Sequence, residues 1–421
     1  MKGMKVSFAI VAAASIIIGF GGMAYAFHSG GVAECEGCHS MHSPAGGALL
    51  TKSDASSTCL NCHENALGDT GPTSYHISTR DADLGAGQAP KQRTPGGDFG
   101  WLKKSYSMTI RGTASVEAGQ THGHNIVAAD YNYTVDTDNP TAPGGSFNSA
   151  YLGCTACHDQ HSAFRRIDNT GTLVKPGLGV AVPPIAGSGS YNTSANPVAG
   201  SSAVGVFRLL AGTGWTVDGI TFAVNPPNAV VNGSYNRTEA TSQVRDAYGS
   251  GMADWCATCH PDMHSDSGAL VHPIDRTFNT TILANYNAYV KSGDLTGAQA
   301  TSFSSLAPYE ANTRDYTILK SLATYTLNQQ PGPATGNAAS VMCLSCHRAH
   351  AGGWMEGLRW MYQGEFMVYN GLYPGVDTTP AQPQFALGRQ SAETQAAYYD
   401  RPVTAFATYQ RMYCNKCHAK D

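Results

Sequence analysis

The sequence predicts one folded unit built mostly of coil and turns, with short helices and few strands. Of its 421 residues, 47 are Gly and 21 are Pro, and both types favour turns and interrupt regular elements. Only 13% of the residues are charged, whereas about 25% is usual in globular chains. The apolar fraction of 42% is too high for a chain kept disordered by charge. The composition therefore predicts an irregular but ordered fold.

Nucleic acid is a poor candidate partner for this chain. It carries 26 Lys and Arg against 30 Asp and Glu, for a formal net charge of −4. Binding to a phosphate backbone needs a concentration of basic residues that this sequence lacks. We therefore expect no nucleic-acid partner.

The first 26 residues have the pattern of a secretory signal peptide. Two lysines precede an apolar run over residues 6–23, and Ala-Tyr-Ala at 24–26 forms a small-residue cleavage site. A transmembrane anchor is the alternative, because the run is almost long enough to span a bilayer, but Ala, Ser and Gly dilute it. We therefore predict a signal peptide at 1–26 and an exported mature chain at 27–421 that forms a single unit without a membrane span.

All twelve cysteines fall into six pairs of the form Cys-x-x-Cys-His. Numbered as sites 1 to 6 in chain order, these are Cys35/Cys38/His39, Cys59/Cys62/His63, Cys154/Cys157/His158, Cys256/Cys259/His260, Cys343/Cys346/His347 and Cys414/Cys417/His418. The spacing lets two thiols add to the two vinyl groups of a porphyrin while the next imidazole binds iron, which is the attachment signature of c-type haem. We therefore predict six covalent haems, with these six histidines as proximal ligands.

Other uses of paired cysteines explain the pattern less well. Export would permit disulfides, but a Cys-x-x-Cys ring is tight and is usually redox-active rather than structural. Zinc ribbons also use such pairs, yet they need no His directly after the second Cys. Six complete motifs with no cysteine left over exclude chance.

Nine further histidines can supply the second axial ligand of each iron. They are His28, His42, His76, His122, His124, His161, His264, His272 and His350. His122 is the weakest of these, because its neighbour His124 has the better apolar flank, so the remaining eight are the distal candidates for six irons. Met is the rival ligand and would raise the potential. The surplus of histidine favours two imidazoles on every iron.

Four of these histidines follow a proximal one by three or four residues: His42, His161, His264 and His350. Such a residue cannot reach the opposite face of its own haem. If it ligates iron, that iron belongs to a neighbouring haem, so the spacing predicts closely packed cofactors.

Two protein ligands on every iron predict electron transfer rather than catalysis. An iron closed on both faces has no position for a substrate, and we therefore expect no enzymatic activity. A multihaem reductase for a nitrogen or sulfur oxyanion is one alternative, which would need an open iron or a departure from Cys-x-x-Cys-His. A soluble periplasmic electron shuttle is the other.

The amount of protein per haem predicts a continuous fold wrapped around a chain of cofactors. Removing 26 residues leaves 395, or about 66 for each of six sites, which is too few for separate domains. Sites 1 and 6 lie near the two ends of the mature chain, and a head-to-tail contact between unlike ends produces an open filament.

Regular elements are expected only in short stretches. Apolar spacing of three and four residues predicts helices at 238–248, 281–291, 313–323 and 392–416. Strands are expected at 125–135 and 204–210.

Several segments resemble one known family. They are FHSGGVAECEGCHSMH at 27–42, DTGPTSYHIST at 69–79, PGGDFGW at 95–101, GHNIVAADYNY at 123–133, NRTEATSQVRDAYGSGM at 236–252, KSGDLTGAQA at 291–300, CLSCHRAHA at 343–351 and CNKCHAKD at 414–421. In these segments the chain is similar to the outer-surface hexahaem cytochromes of metal-reducing bacteria, a family of multihaem cytochromes c. The loops at 43–58, 165–235 and 351–390 depart from the family.

The resemblance implies a coil-rich subunit of an extracellular filament, or nanowire. Its stacked bis-histidine haems would carry electrons from outer-membrane or periplasmic donors to external acceptors such as Fe(III) oxides, electrodes or partner cells. It also implies that His42 of one subunit ligates the iron held at Cys343, Cys346 and His347 of the adjacent subunit.

Overall fold

A computed structural model describes residues 35–421, apart from 70, 72–74, 111, 162, 176–182, 233–242, 265–273, 275, 327–328 and 337–338 and the side chains of 264, 326 and 383. The predicted signal peptide and His28 and His272 lie outside the described residues. Among the described residues, no helix is both long and apolar enough to cross a membrane.

The helices are short. Eleven α-helices lie in the described part of the chain: α1 Cys35–Cys38, α2 Ala55–His63, α3 Cys154–Cys157, α4 Met252–Ala257, α5 Pro261–His264, α6 Thr280–Ala288, α7 Tyr316–Leu322, α8 Cys343–Cys346, α9 Pro383–Ala386, α10 Ser391–Ala397 and α11 Asn415–His418. Three begin at a side-chain cap, because Asp54, Asn279 and Asp315 each accept hydrogen bonds from backbone N–H groups of the first turn.

Ten 3₁₀ turns add to the helices in the described residues. They are Gly47–Leu49, Asp81–Asp83, Phe99–Lys103, Gly119–His122, Ala129–Tyr131, Ser149–Tyr151, Phe207–Leu209, Gln299–Thr301, Met355–Gly357 and Val403–Ala405. Three of these contain a residue with left-handed backbone angles, and each of the three lies beside a haem-attachment motif.

The strands are also short and form small separate sheets. They are β1 Tyr106–Ile110, β2 Thr113–Glu117, β3 Arg165–Arg166, β4 Leu173–Val174, β5 Ile185–Gly187, β6 Ala203–Gly205, β7 Thr216–Val217, β8 Ile220–Thr221, β9 Ala229–Val230, β10 Gln243–Val244, β11 Ala247–Tyr248, β12 Tyr325–Thr326, β13 Phe366–Val368 and β14 Gln410–Arg411. One four-stranded sheet has the order β4-β3-β6-β5, in which only β5 and β6 are parallel. The other described sheets are antiparallel pairs, of which β1–β2 is the longest.

The predicted fold class is confirmed, and the predicted elements are confirmed in part. Helices expected at 281–291 and 313–323 are present as α6 and α7. The helix expected at 392–416 covers only α10 and the start of α11. The helix expected at 238–248 is wrong, since β10 and β11 occupy its described part. Short apolar runs do not distinguish a helix from a strand, and here pairing with distant strands decides.

Both strand predictions need correction. Residues 125–135 form loops around a 3₁₀ turn, and Asn132 in left-handed conformation closes that turn. Residues 204–210 begin as β6, but the backbone then reverses in the turn at Phe207–Leu209. In both places a local turn ends the extended run.

The largest core cluster is rich in aromatic side chains and joins distant parts of the chain. Its members include Trp101, Tyr106, Tyr286, Tyr289, Tyr309, Trp354, Trp360, Tyr373, Tyr398 and Tyr413. Trp354 and Tyr398 have ring centroids 4.9 Å apart, and Trp360 and Tyr413 are 5.8 Å apart. Large rings bury much apolar area per residue, so a chain with few regular elements can still build an ordered core.

A charged network lies inside this core. Glu117 is fully buried, and its Oε1 accepts hydrogen bonds from His122 Nε2 and Arg389 Nη2, both at 2.6 Å. The Arg389 guanidinium also lies 4.1 Å from the ring centre of Tyr106 and 4.2 Å from that of Trp354. Burial alone would raise the pKa of Glu117, but Arg389 and His122 outweigh it and hold that pKa below its usual range. The network ties β2 to the segment before α10.

Candidate functional site

Each Cys-x-x-Cys-His motif forms one helical turn. The motifs of sites 1, 3 and 5 are α1, α3 and α8, that of site 2 ends α2, and those of sites 4 and 6 lie in or beside α4 and α11. Residues three apart on a helix share a face, so the two sulfur atoms of a motif point the same way. At the five sites other than site 2, whose histidine lies within α2, the proximal N–H donates to the carbonyl of the first Cys: His39 (2.8 Å), His158 (2.9 Å), His260 (3.2 Å), His347 (3.0 Å) and His418 (3.1 Å).

Successive sites are neighbours in space along the whole chain. Between an odd site and the next even site, the second Cys of the odd motif lies near enough to the cysteines of the even motif to interact with them electrostatically. Burial, followed by Cys59 and Cys62, raises the pKa of Cys38. Burial and then Cys259 raise the pKa of Cys157 to about 12. The same effect occurs at Cys346, whose pKa is raised to about 12 by burial and then by Cys414 and Cys417. Sites 1–2, 3–4 and 5–6 are therefore adjacent.

From an even site to the next odd site, the first cysteines meet. The thiols of Cys59 and Cys154 hydrogen-bond to each other, and this contact is the main cause of the raised pKa of Cys59. Cys256 and Cys343 make the same contact, which is the main cause of the raised pKa of Cys256. The attachment sites thus follow one another in space in the order in which they occur in the sequence.

A backbone carbonyl orients the ring of the proximal histidine at five sites. The Nδ1 atoms of His39, His63, His158, His260 and His347 lie 2.9, 3.0, 2.8, 2.8 and 2.7 Å from the carbonyl oxygens of Ala48, Tyr75, Arg208, Pro143 and Glu356, respectively. A hydrogen bond from Nδ1 leaves Nε2 unprotonated as the iron ligand. These rings therefore have the tautomer that haem ligation requires.

Two of the predicted distal histidines face a proximal histidine at the distance that a shared iron requires. The ring centroids of His158 and His350 are 6.4 Å apart, and those of His260 and His124 are 6.1 Å apart. Two imidazoles that share one metal through bonds of about 2 Å place their ring centres roughly 6 Å apart. Burial lowers the pKa of His350 to about 3, which keeps its ring neutral. The donor set at sites 3 and 4 therefore fits haem iron.

The remaining distal candidates have different surroundings. His76 Nδ1 is 3.1 Å from Asp69 Oδ2, a carboxylate contact typical of oriented metal ligands. His42 and His161 have exposed side chains on the segments that follow sites 1 and 3. His264 ends α5, but its side chain lies outside the described part of the chain, as do His28 and His272.

His122 does not have the surroundings of a ligand. Its ring is fully buried, and Nδ1 lies 2.7 Å from the Trp101 carbonyl while Nε2 contacts Glu117. Both nitrogens are occupied by these contacts within the protein, so neither faces a position for iron. The preference for His124 over His122 as a ligand stays a prediction.

None of the twelve sulfur atoms is joined to another in a disulfide. In the part of the chain that the structure describes, no group of three or more His, Cys, Asp or Glu is arranged to hold a metal ion by itself.

Sequence reasoning missed the carbonyl acceptors of the proximal histidines. Two of these acceptors, Arg208 for His158 and Pro143 for His260, lie 50 and 117 residues away in the chain. The other three follow their histidine by 9 to 12 residues. A backbone carbonyl has no residue-type signature, so the sequence offers little signal. A His three residues after the proximal one marks sites 1, 3 and 5, but sites 2 and 4 have such acceptors without it.

Comparison with known proteins gives the family. A model of the doubled CXXCH motif matches residues 28–68, which contain sites 1 and 2. The C-type cytochrome OmcS of Geobacter sulfurreducens is 48% identical over 448 aligned residues, covering 100% of both chains. The solved outer membrane cytochrome S filament from the same organism has a TM-score of 0.84 at 47% identity and covers 94% of this chain and 100% of its own. A cryo-EM structure of the OmcS nanowires has the same TM-score at 46% identity. The chain belongs to the OmcS family of multihaem c-type cytochromes and binds haem c covalently through its CXXCH motifs.

Proposed function

We propose that this protein is the subunit of an extracellular cytochrome filament that carries electrons over long distances. One observation supports this function above the others: the attachment sites follow one another in space without interruption from one end of the mature chain to the other. A head-to-tail array of such subunits extends the same order of sites from one subunit to the next.

Residues 27–421 act as a single unit with six haems in this proposal. The twelve motif cysteines hold the porphyrins, and the six motif histidines are the proximal ligands. The haems supply reversible one-electron exchange, whose potential depends on the axial ligands and on burial. The chain itself contributes ring orientation through the carbonyl acceptors and close spacing through the contacts between successive sites.

The distal ligands at sites 1, 3 and 5 follow one rule in this proposal. At these sites a second His stands three residues after the proximal one, as His42, His161 and His350. His350 lies opposite the proximal His158 of site 3, two sites before its own. By the same displacement of two sites, His161 is the distal ligand of the iron at site 1. His42 then has no site two steps earlier in its own chain, and it serves site 5 of the adjacent subunit.

The exposed position of His42 supports its proposed role as a ligand to the adjacent subunit. The His42 side chain is exposed, and the Met41 side chain next to it is 74% exposed. The distal positions of sites 2 and 6 are left to His28, His76, His264 and His272, and that of site 4 to His124. Every iron is then closed on both faces, so the protein conducts electrons and is not an enzyme.

Export by the N-terminal signal peptide brings the subunit to the outer cell surface. There the filament receives electrons from outer-membrane or periplasmic donors and passes them to extracellular acceptors such as Fe(III) oxides, electrodes or partner cells. Negative-stain electron microscopy of the purified extracellular protein tests the proposal. Filaments are the expected result, and a preparation of dispersed monomers alone would contradict the proposal.

A further inference from the structure

Sites 1, 3 and 5 each hold the proximal histidine against the same kind of tight turn. The turns span residues 47–50, 207–210 and 355–358, and in each the fourth N–H donates to the first carbonyl at 3.1 to 3.2 Å. Both central residues of every turn have left-handed backbone angles, with φ between 51° and 63°. This combination is a type I′ turn.

The residues in these turns are unusual for their conformation. Type I′ turns favour Asn and Gly at the two central positions, because those residues tolerate positive φ. Only one of the six central residues is glycine; they are Ala48, Leu49, Arg208, Leu209, Glu356 and Gly357. Left-handed backbone costs other residues roughly 1–2 kcal/mol each. Strain of this kind persists where the surroundings hold it, and it concentrates at functional sites.

Three hydrogen bonds join each turn to its motif, and their lengths agree to within 0.2 Å. The first central carbonyl accepts from the proximal Nδ1 at 2.7 to 2.9 Å. The second accepts from the N–H that follows the proximal histidine at 2.7 to 2.8 Å. The N–H after the turn donates to the carbonyl of the second Cys at 2.8 to 3.0 Å. The turn therefore fixes both the backbone and the imidazole of the motif.

Sites 2 and 4 obtain their acceptors without a strained residue. At site 4 the acceptor is Pro143, followed by Gly144, whose φ of 68° is unstrained because glycine has no Cβ. At site 2 the acceptor is Tyr75, which is not left-handed. The strained turn is thus a feature of the odd-numbered sites among those whose acceptor the structure describes.

We propose that the three left-handed turns are positioning devices for the haems of sites 1, 3 and 5. They fix the plane of the proximal ring, and by accepting from Nδ1 they make Nε2 a stronger donor to iron. A stronger donor favours Fe(III) and lowers the reduction potential of that haem. This inference rests on the proposed function, since it assumes haem at these sites.

Site 1 allows the cleanest test because the Ala48 side chain is exposed. Ala48→Val introduces a β-branched residue that disfavours positive φ, whereas Ala48→Gly keeps the turn. Ala45→Val makes the same change of residue in the same loop, at a position whose φ is not positive. The measurements are haem mass of the secreted chain, EPR g-values and reduction potentials of the purified holoprotein. Ala48→Val is expected to shift one of the six potentials upward and to change its g-value, while the other two variants match the unmodified protein.

Identical g-values and potentials in Ala48→Val and Ala45→Val would overturn the inference. Loss of the site 1 haem in Ala48→Val alone would support it, since the turn would then be needed already for attachment. Should Ala48→Val not be secreted, Glu356→Val with Glu356→Gly as its partner gives the same comparison at site 5, where the side chain is also exposed. A failure of the proposed function is separate, because it appears in the unmodified protein as missing haem mass or absent filaments.

Discussion

The odd-numbered and even-numbered attachment sites have the same three residue types but different supports. Sites 1, 3 and 5 lie on isolated four-residue helices held by a left-handed turn, and each has a second histidine three residues later. Site 2 instead ends the nine-residue helix α2, and site 4 overlaps α4. At site 6, Lys416 of the motif donates a hydrogen bond to the Tyr286 carbonyl near the end of α6. The motif alone therefore does not determine how a site is supported. The structural repeat of the molecule consists of one odd and one even site.

The contacts between successive sites repeat with the same period. Odd sites meet the next even site through their second Cys, and even sites meet the next odd site through their first Cys. These alternating contacts between odd and even sites can continue past site 6 to site 1 of an adjacent subunit. The proposed contact of His42 with the next subunit continues the period across the boundary, so the two classes of site can be separated by mutation.

His42→Ala is expected to give the largest effect. It removes the only odd-site histidine that is proposed to act between subunits, so haem attachment stays complete while filaments are lost. The iron of site 5 loses its sixth ligand and becomes high-spin. Electron microscopy measures assembly, haem mass measures attachment, and EPR measures the spin state.

Ser43→Ala is the matched control for this variant, since Ser43 is the exposed neighbour of His42. It should form filaments as the unmodified protein does. Normal filaments of His42→Ala with all irons low-spin would show that the ligand between subunits is misassigned.

His350→Ala and His161→Ala test whether the same rule holds within one chain. Each variant should keep six haems and convert one iron to high spin, at site 3 for His350 and at site 1 for His161. His122→Asn serves as the contrast, because His122 contacts only protein acceptors, and its loss should change stability but leave every iron low-spin. An entirely low-spin spectrum of His350→Ala would contradict the proposal that His350 and His158 bind the same iron.

The haem-attachment motifs were predictable from the sequence, whereas the turns that support them were not. Covalent attachment follows from the bonding chemistry of thiols and imidazole, and Cys-x-x-Cys-His encodes it in adjacent residues. The left-handed turns are encoded by Ala48-Leu49 and Arg208-Leu209, which have no turn signature. Backbone strain of this kind is imposed by tertiary contacts, and local propensity gives no sign of it.

Glu117→Gln should give the largest loss of stability among variants that touch no ligand. Glu117 compensates Arg389 and His122 inside the core, and Arg389 packs on Trp354, which directly precedes the turn of site 5. Removing one partner of a buried ion pair costs roughly 3–5 kcal/mol. Urea unfolding at pH 7, followed by circular dichroism, measures the change.

The pH dependence gives a second measurement on the same variant. The pKa of Glu117 is lower in the folded chain than in the unfolded chain. Its contribution to the free energy of unfolding is therefore complete at pH values above its pKa in the unfolded chain. That contribution is lost as the pH falls through the pKa of Glu117 in the folded chain. Glu117→Gln should therefore weaken the acid dependence of stability. The control is Glu365→Gln, where an exposed pair with Arg411 at 3.0 Å contributes about 0–1 kcal/mol. Equal losses in the two variants would contradict the proposed role of the buried network.

The smallest effect is expected at an even site, from Lys416→Met. The Lys416 Nζ donates to the carbonyls of Tyr286 and Tyr289 at 2.9 and 3.0 Å, at the end of α6. Hydrogen bonds from a charged group contribute about 1.5–3 kcal/mol each to stability, and this sum is reduced here because burial lowers the pKa of Lys416 to about 7. The exposed Lys420→Met is the control, and the same urea experiment compares them. A shift in the potential of an odd-site haem would contradict the separation of the two classes.

The core network illustrates a further limit of the sequence. Glu117 and His122 are five residues apart, but Arg389 lies 272 residues beyond Glu117, and no local pattern connects it to them. Glu117 and Arg389 are both buried, and folding brings them together as an ion pair. Such pairs depend on the complete tertiary arrangement.

EPR quantification of the assembled, unmodified filament tests the central idea most directly. Two imidazoles on every iron, with one supplied across the subunit boundary, predict six low-spin ferric centres per chain and no high-spin signal. A high-spin iron that persists in well-formed filaments would contradict it, because that iron would have an open face that neither this chain nor its neighbour closes.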